Sequence, residues 1–156
     1  MNKLYVIIPL IVAVSFLIFP FILYSGNMIM VVTSDSMLPV LKPYDTIVVE
    51  KISIDKASVG DIVVFDSHME GIGIVAHRAI EIFDDHGRIG IDTKGDNVDE
   101  PDPWTVHDED FIGIVVNIVP SMGILLIEPV RYGIVAVIII TAISLMREVT
   151  AKPKAA

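Results

Sequence analysis

Four stretches of the chain hold side chains whose types and spacing could do chemistry. The first is Thr33-Ser34-Asp35-Ser36-Met37-Leu38-Pro39. Serine and aspartate at the end of a strand commonly make nothing more than a turn. The same residues also suit a nucleophile at a rigid bend, because Pro39 fixes its own φ and pushes Leu38 toward extended geometry. Ser34 lies two residues before Ser36, on the same side of an extended backbone, where its hydroxyl can reach a developing oxyanion. The second stretch is Val75-Ala76-His77-Arg78-Ala79-Ile80. Strand alternation puts Ile72, Ile74, Ile80 and Ile82 on one face and His77 on the other with Val75 and Ala79. Arg78 then falls on the bulky apolar side and needs a carboxylate partner or a bulge. A histidine in a strand is commonly structural; beside a hydroxyl nucleophile it is a general base.

The third stretch, Lys94-Gly95-Asp96-Asn97-Val98-Asp99-Glu100-Pro101-Asp102, is strongly acidic. A solvated loop or a weak calcium site is one reading, although the sixth-position glycine and terminal glutamate of an EF-hand are missing. An aspartate here could instead orient an imidazole and stabilise its protonated form. The fourth, Val59-Gly60-Asp61-Ile62-Val63-Val64-Phe65, is a turn entering a strand and reports structure only. His68, His86 and His107 stand in turn or loop settings without H-E-x-x-H spacing, so no metal and no cofactor is expected. The chain has no cysteine, which excludes a disulfide framework, a thiolate zinc site and a cysteine nucleophile.

The elements that must position these residues are short β-branched runs separated by turn residues, the pattern of a mainly antiparallel β domain. Strands are predicted over Met28 to Thr33, Thr46 to Lys51, Asp61 to Phe65, Ile72 to Phe83, Arg88 to Thr93 and Phe111 to Val119. Asp84 to Gly87 supplies a hairpin turn. Gly95 to Asp110, with Pro101 and Pro103 and no periodicity, reads as a loop too long for a mere connector.

This β body is acidic and its flanks are not. The whole chain is 53% hydrophobic and carries a net charge of −9, with a mean hydropathy of +0.69, too apolar an average for an ordinary soluble domain. Between Ser25 and Met122 stand 18 acidic and 6 basic residues. A body of that size buries one modest core, which excludes a multi-domain enzyme or a many-span transporter. Its acidity excludes nucleic-acid backbones as partners. Leu4 to Tyr24 is an uncharged run of 21 residues, about 31 Å as a helix and so a full membrane span. It exceeds a signal-peptide core and no small-x-small pair follows it, which favours an uncleaved anchor. A second span is predicted from about Val130 to Met146, after an interfacial segment from Gly123 to Pro129 in which Glu128 and Pro129 interrupt the apolar run. Lys3 before the first span, and Arg147, Lys152 and Lys154 after the second, put both tails in the cytoplasm and the acidic body outside. The expected organisation is an anchor at 1–25, a β domain at 26–122, an interfacial segment with a helix at 123–147, and a tail at 148–156.

In this order, Ser36-Met37-Leu38-Pro39, Gly60-Asp61-Ile62-Val63, His77-Arg78 and Gly95-Asp96-Asn97 with a further aspartate at Asp102 resemble the type I signal peptidases of the archaeal and endoplasmic-reticulum branch. The resemblance covers about Thr33 to Asp102. It implies a small antiparallel β catalytic domain flanked by two transmembrane helices, without the large second β domain of the bacterial branch. It implies a Ser36 nucleophile and, where the bacterial branch has a lysine, a His77 base. Asp96 and Asp102 match the branch's two aspartates, with Asp102 the more critical; Asp99 is not part of the match. Ser34 stands where the family often has a hydroxyl near the oxyanion, beside the Ser36 N–H. The implied substrates are secreted precursors with small residues at the first and third positions before the cut. The implied setting is the plasma membrane, or the endoplasmic reticulum in a eukaryote, with the lipid bilayer as a further partner; the sequence does not say whether the secretion machinery is one. Two rival readings stand beside this one. One is a non-catalytic, membrane-anchored β scaffold for protein interactions. The other is a self-cleaving serine protease with Lys51 or Lys94 as base, although nothing in the sequence puts either lysine beside Ser36.

Overall fold

The computed structural model describes residues 4–25, 29–69 and 71–151. Lys3, Lys152 and Lys154, on which the orientation argument leans, and Met28 lie outside them. Helix α1 spans Leu4–Ser25 and α2 spans Glu128–Ala151. Between them come β1 (Ile29–Val31), β2 (Thr46–Glu50), β3 (Ile62–Asp66), β4 (Ile74–Asp85), β5 (Arg88–Lys94), β6 (Thr105–Val106) and β7 (Phe111–Val119). The chain divides into two units, the β body Gly26–Gly123 and a helical unit made from the two ends.

The strands form one curled antiparallel sheet in the order β1-β2-β7-β3-β4-β5-β6. The predicted strands are all present, with ends displaced by at most two residues. Asp85 pairs with Arg88 as the last rung of β4 and β5. The two residues between them, His86 at φ 56° and Gly87 at φ 84°, are both left-handed, as a tight hairpin turn requires. The loop from Gly95 to Asp110 is not wholly irregular. Thr105 and Val106 fold back as β6 against Asp92 and Ile91, too short a strand to leave a periodic signal.

Alternation along the strands sends apolar side chains into two clusters. Val63 and Phe65 of β3 enter one with Ile54, Ala79, Ile91 and Val106. Val64 enters the other with Met37, Leu41, Ile47 and Val49. Each fully buried Val, Leu, Ile, Met or Phe side chain among these stabilises the fold by about 1.5–3 kcal/mol. The predicted facing of β4 needs correction. Ile72, Ile74 and Ile80 are exposed, while Ala79 is buried and packs in the same cluster as Val75 and Ile82. The register slips between Ala79 and Glu81. That bulge adds a residue and reverses the parity, so odd positions face this cluster before it and even positions after it.

Asp45, nearly inaccessible, fixes the start of β2. Its carboxylate accepts the backbone N–H of Lys42 at 3.0 Å and of Ser121 at 2.9 Å.

In the helical unit, α1 and α2 pack against each other, and their buried residues include Ala13 and Val135. Glu128 and Pro129 do not interrupt the second apolar run as expected; they begin its helix. Proline is tolerated in a first turn, where its missing N–H would have no intrahelical partner. Glu128–Arg147 is long and apolar enough to cross a membrane, and Ile7–Phe19 is a shorter apolar helical stretch.

Candidate active site

Ser36 sits in a compact turn after β1, and its position follows from its neighbours. Met37 and Leu41 are 2% and 0% exposed, so two apolar side chains pin the turn to the sheet. Within it Leu38 N–H donates to Asp35 O at 3.1 Å and Leu41 N–H to Met37 O at 2.9 Å. The polar face of the turn is left outward with Ser34 and Ser36, whose hydroxyl oxygens are 3.2 Å apart.

His77 lies in β4 opposite Val63 of β3, and its ring bridges two groups. Nε2 is 2.9 Å from Ser36 Oγ and Nδ1 is 2.6 Å from Asp102 Oδ2. The His77 and Asp102 side chains are 12% and 10% exposed, so water competes little for these bonds. Because a carboxylate only accepts, Nδ1 carries the proton and the Nε2 lone pair is left to receive the Ser36 O–H. Ser34 can then donate to Ser36 Oγ. Asp102 Oδ2 also accepts the Thr93 hydroxyl at 2.6 Å. The result is a continuous chain from Ser34 through Ser36, His77 and Asp102 to Thr93.

The second aspartate does something else. Asp96 accepts two bonds from the Arg78 guanidinium, Nε to Oδ1 at 2.7 Å and Nη2 to Oδ2 at 2.6 Å. Arg78 Nη1 donates to Gly60 O at 2.7 Å. Arg78 therefore has the carboxylate partner that its place in the strand demands. The hydrogen bonds and charge of Arg78 hold the Asp96 carboxyl below its usual range, against the opposing effect of burial, and Asp96 in turn raises Arg78. The following residue reaches the Ser36 turn, since Asn97 N–H donates to Ser36 O at 2.7 Å and its side-chain amide to Asp35 O at 3.2 Å. Asp96 N–H points at Met37 Sδ, 3.4 Å away. Gly95 packs so closely that a Cβ there would lie 2.7 Å from Ser36 O.

A cleft of about 430 Å³ opens beside this chain of hydrogen bonds. One wall comes from Met30 to Ser34 and another from Ile72 to His77, with Trp104 also lining it. Trp104 rests on Phe65, ring centroids 6.3 Å apart.

Of the residues singled out in the sequence, Ser34, Ser36, His77 and Asp102 come together, and Asp96 lies in the adjoining ion pair. Asp99 is not among them; its carbonyl accepts Lys94 Nζ at 3.3 Å. Each remaining histidine has an aspartate neighbour: His68 Nε2 is 2.8 Å from Asp110, His86 Nδ1 2.8 Å from Asp85, and His107 Nε2 3.3 Å from Asp85. Among the described residues no group of three or more His, Cys, Asp or Glu side chains is arranged to hold a metal. Sequence reasoning did not single out Thr93, Asn97 or Trp104 for a role. Asn97 stands in the Gly95-Asp96-Asn97 motif; Thr93 and Trp104 carry no local signal, because their contacts depend on how the long loop folds back.

No protein-family model matches the chain, and no curated protein matches it.

Proposed function

We propose that the protein is a membrane-tethered serine endopeptidase that removes N-terminal signal segments from secreted precursors. The observation that carries this reading is the His77 ring held between Ser36 Oγ at 2.9 Å and Asp102 Oδ2 at 2.6 Å. Serine is a weak nucleophile at its free pKa and needs an adjacent base, itself oriented by a third group. In the proposed reaction Ser36 Oγ attacks the scissile carbonyl carbon while its proton passes to His77 Nε2. The Ser36 N–H and the Ser34 hydroxyl receive the oxyanion. Collapse breaks the C–N bond, and Nε2 returns the proton to the leaving amine, leaving an acyl ester on Ser36. A water then attacks the ester, gives its proton to Nε2, and the acid departs as Ser36 regains a proton from His77.

Two further observations favour an extended peptide as substrate. β1 is an edge of the sheet. In β4, Ile74 to His77 pair with β3 on one side, while β5 joins only from Arg78 onward. The cleft lies between these two segments, and a peptide running through it can add main-chain hydrogen bonds on either side. The short Ser34 and Ser36 side chains and the apolar walls suit small residues beside the cut.

Membrane tethering completes the proposal. α2 is long enough to span, and with α1 as a second span both tails are cytoplasmic and the catalytic body extracytoplasmic. A precursor held in the same bilayer meets the site at high effective concentration, which offsets weak contacts around short side chains. The test is cleavage of a membrane-inserted precursor by the full chain in liposomes. Wild type is expected to release the mature segment and Ser36→Ala to leave the precursor intact while still inserting. An inert wild type, or an active Ser36→Ala, overturns the proposal.

A further inference from the structure

Threonine at position 93 is not what its surroundings alone select. The residue is 0% exposed, on β5 opposite Ala79 of β4. Valine has the same shape and at least the same strand preference. A buried hydroxyl costs about 1–3 kcal/mol in desolvation unless it is bonded. Here it is bonded, to Asp102 Oδ2 at 2.6 Å, the same oxygen that meets His77 Nδ1 at 2.6 Å.

The two ends of this bond differ in rigidity. Thr93 stands within a paired strand, and its β-branched side chain has few χ1 states. Asp102 stands on the stretch between β5 and β6, with Pro101 and Pro103 exposed on either side. Its backbone N–H donates to Thr93 O at 2.8 Å, a bond that does not itself set the side-chain torsions. A carboxylate oxygen accepts two donors, so the hydroxyl can fix those torsions without displacing the imidazole. We propose that Thr93 is a positioning residue that holds Asp102 Oδ2 on His77 through its hydroxyl. The role in turnover rests on the reading of Ser36, His77 and Asp102 as a hydrolytic triad; the hold on the imidazole does not.

Thr93→Val and Thr93→Ser separate hydroxyl from packing, since the first keeps the shape and loses the donor while the second does the reverse. The imidazole N–H resonance of His77, identified by its loss in His77→Ala, is followed by NMR on the full chain in detergent micelles, and precursor cleavage is measured beside it. Thr93→Val is expected to broaden or lose that resonance under conditions where wild type keeps it. Its kcat should fall on the order of 10–100-fold with KM nearly unchanged, the usual scale for removing an outer partner of a catalytic ligand. Thr93→Ser should keep both the resonance and the rate. If Thr93→Val does not fold, Thr93→Ala against Thr93→Ser makes the same comparison. The proposal is overturned if the valine variant keeps the resonance and a kcat within about twofold of wild type, or if the serine variant is as impaired as the valine. A resonance lost in Thr93→Val, in a protein whose wild type cuts no precursor, upholds the hold on His77 and refutes the proteolytic reading instead.

Discussion

Amide substitution of the two aspartates should separate their roles, because each carboxylate faces a different cation. In the proposed reaction, attack by Ser36 forms an imidazolium at His77, whose Nδ1 is 2.6 Å from Asp102 Oδ2. Opposite charges about 4 Å apart at an effective dielectric of about 20 attract by about 4 kcal/mol, and at 1.36 kcal/mol per decade their loss lowers kcat by about 10³. An asparagine that turns its NH₂ toward Nδ1 also enforces the wrong tautomer, taking the loss toward about 10⁴. The fold should hardly notice, since the amide is isosteric and can still pair with the Thr93 hydroxyl. Asp96→Asn instead removes the countercharge from a guanidinium only 31% exposed. Leaving such a cation without its partner costs about 2 kcal/mol, which in a body of about 100 residues lowers the thermal midpoint by roughly 10 °C. Below that midpoint its kcat should fall less than about tenfold, as the Asp96 carboxylate bonds Arg78 and not Ser36, His77 or Asp102. The assay is precursor cleavage in liposomes at known stoichiometry, paired with thermal unfolding by circular dichroism. If Asp96→Asn is the folded but inactive variant and Asp102→Asn still cuts, the roles are reversed and the electrostatic argument fails.

Three other outcomes follow from the same contacts. Gly95→Ala would put a methyl group 2.7 Å from Ser36 O and 3.1 Å from Val98 Cγ2, and the nearer neighbour, being backbone, has little room to yield; kcat should drop at least about tenfold with a stability loss of about 1–3 kcal/mol, read by cleavage rate and urea unfolding. His77→Ala should be inactive and His77→Lys at best feeble, because a lysine must be kept neutral near pH 7 to act as base; near wild-type cleavage by the lysine variant would mean the pocket already suits the bacterial type of dyad. The Asp96–Arg78 pair also makes a pH prediction. The folded-state pKa of Asp96 is depressed below its usual 3.8, so the stabilisation is complete well above that value and is lost as pH falls through it toward the folded value. The thermal midpoint of wild type should therefore fall more steeply below about pH 4 than that of Asp96→Asn; parallel slopes would count against the pair's contribution.

Much of the β body could be read from residue pattern, and the failures have identifiable causes. β7 matches its predicted bounds because Phe111 to Val119 is a long β-branched run between turn residues. The facing of β4 was misread because period-two counting assumes an unbroken strand, and the bulge after Ala79 breaks it. Arg78 carried the warning: an arginine assigned to the bulky apolar side signals a wrong parity, an ion pair or a bulge, and the strand has both of the last two. α2 begins two residues before the expected start near Val130, because in a first turn Pro129 costs no hydrogen bond. In the site, Ser36, His77 and an orienting aspartate could be proposed from residue type, and Asp102 in particular from the family resemblance. What joins them could not, because Thr93 to Asp102 and Asn97 to Ser36 are contacts made by a loop folding back on a strand and a turn.

That loop accounts for how so small a body holds a bridged histidine in place. Ser36, His77 and Asp102 stand on three separate parts of the chain, and nothing in the pairing of β3 with β4 alone would keep Ser36 within 2.9 Å of His77. From Thr93 to Asp102 the chain touches all three. Thr93 and Asp102 take one end of the imidazole. Asp96 holds Arg78, the residue after His77 in β4. Gly95 and Asn97 close on the carbonyl of Ser36 itself. Displacing this one segment should move nucleophile, base and orienting carboxylate together, so substitutions within it should be strongly non-additive in kcat. A double variant Gly95→Ala/Thr93→Val should therefore be scarcely slower than the worse of its two single variants. Strict additivity of the two losses, in variants shown to be folded, would mean that the segment does not act as a unit.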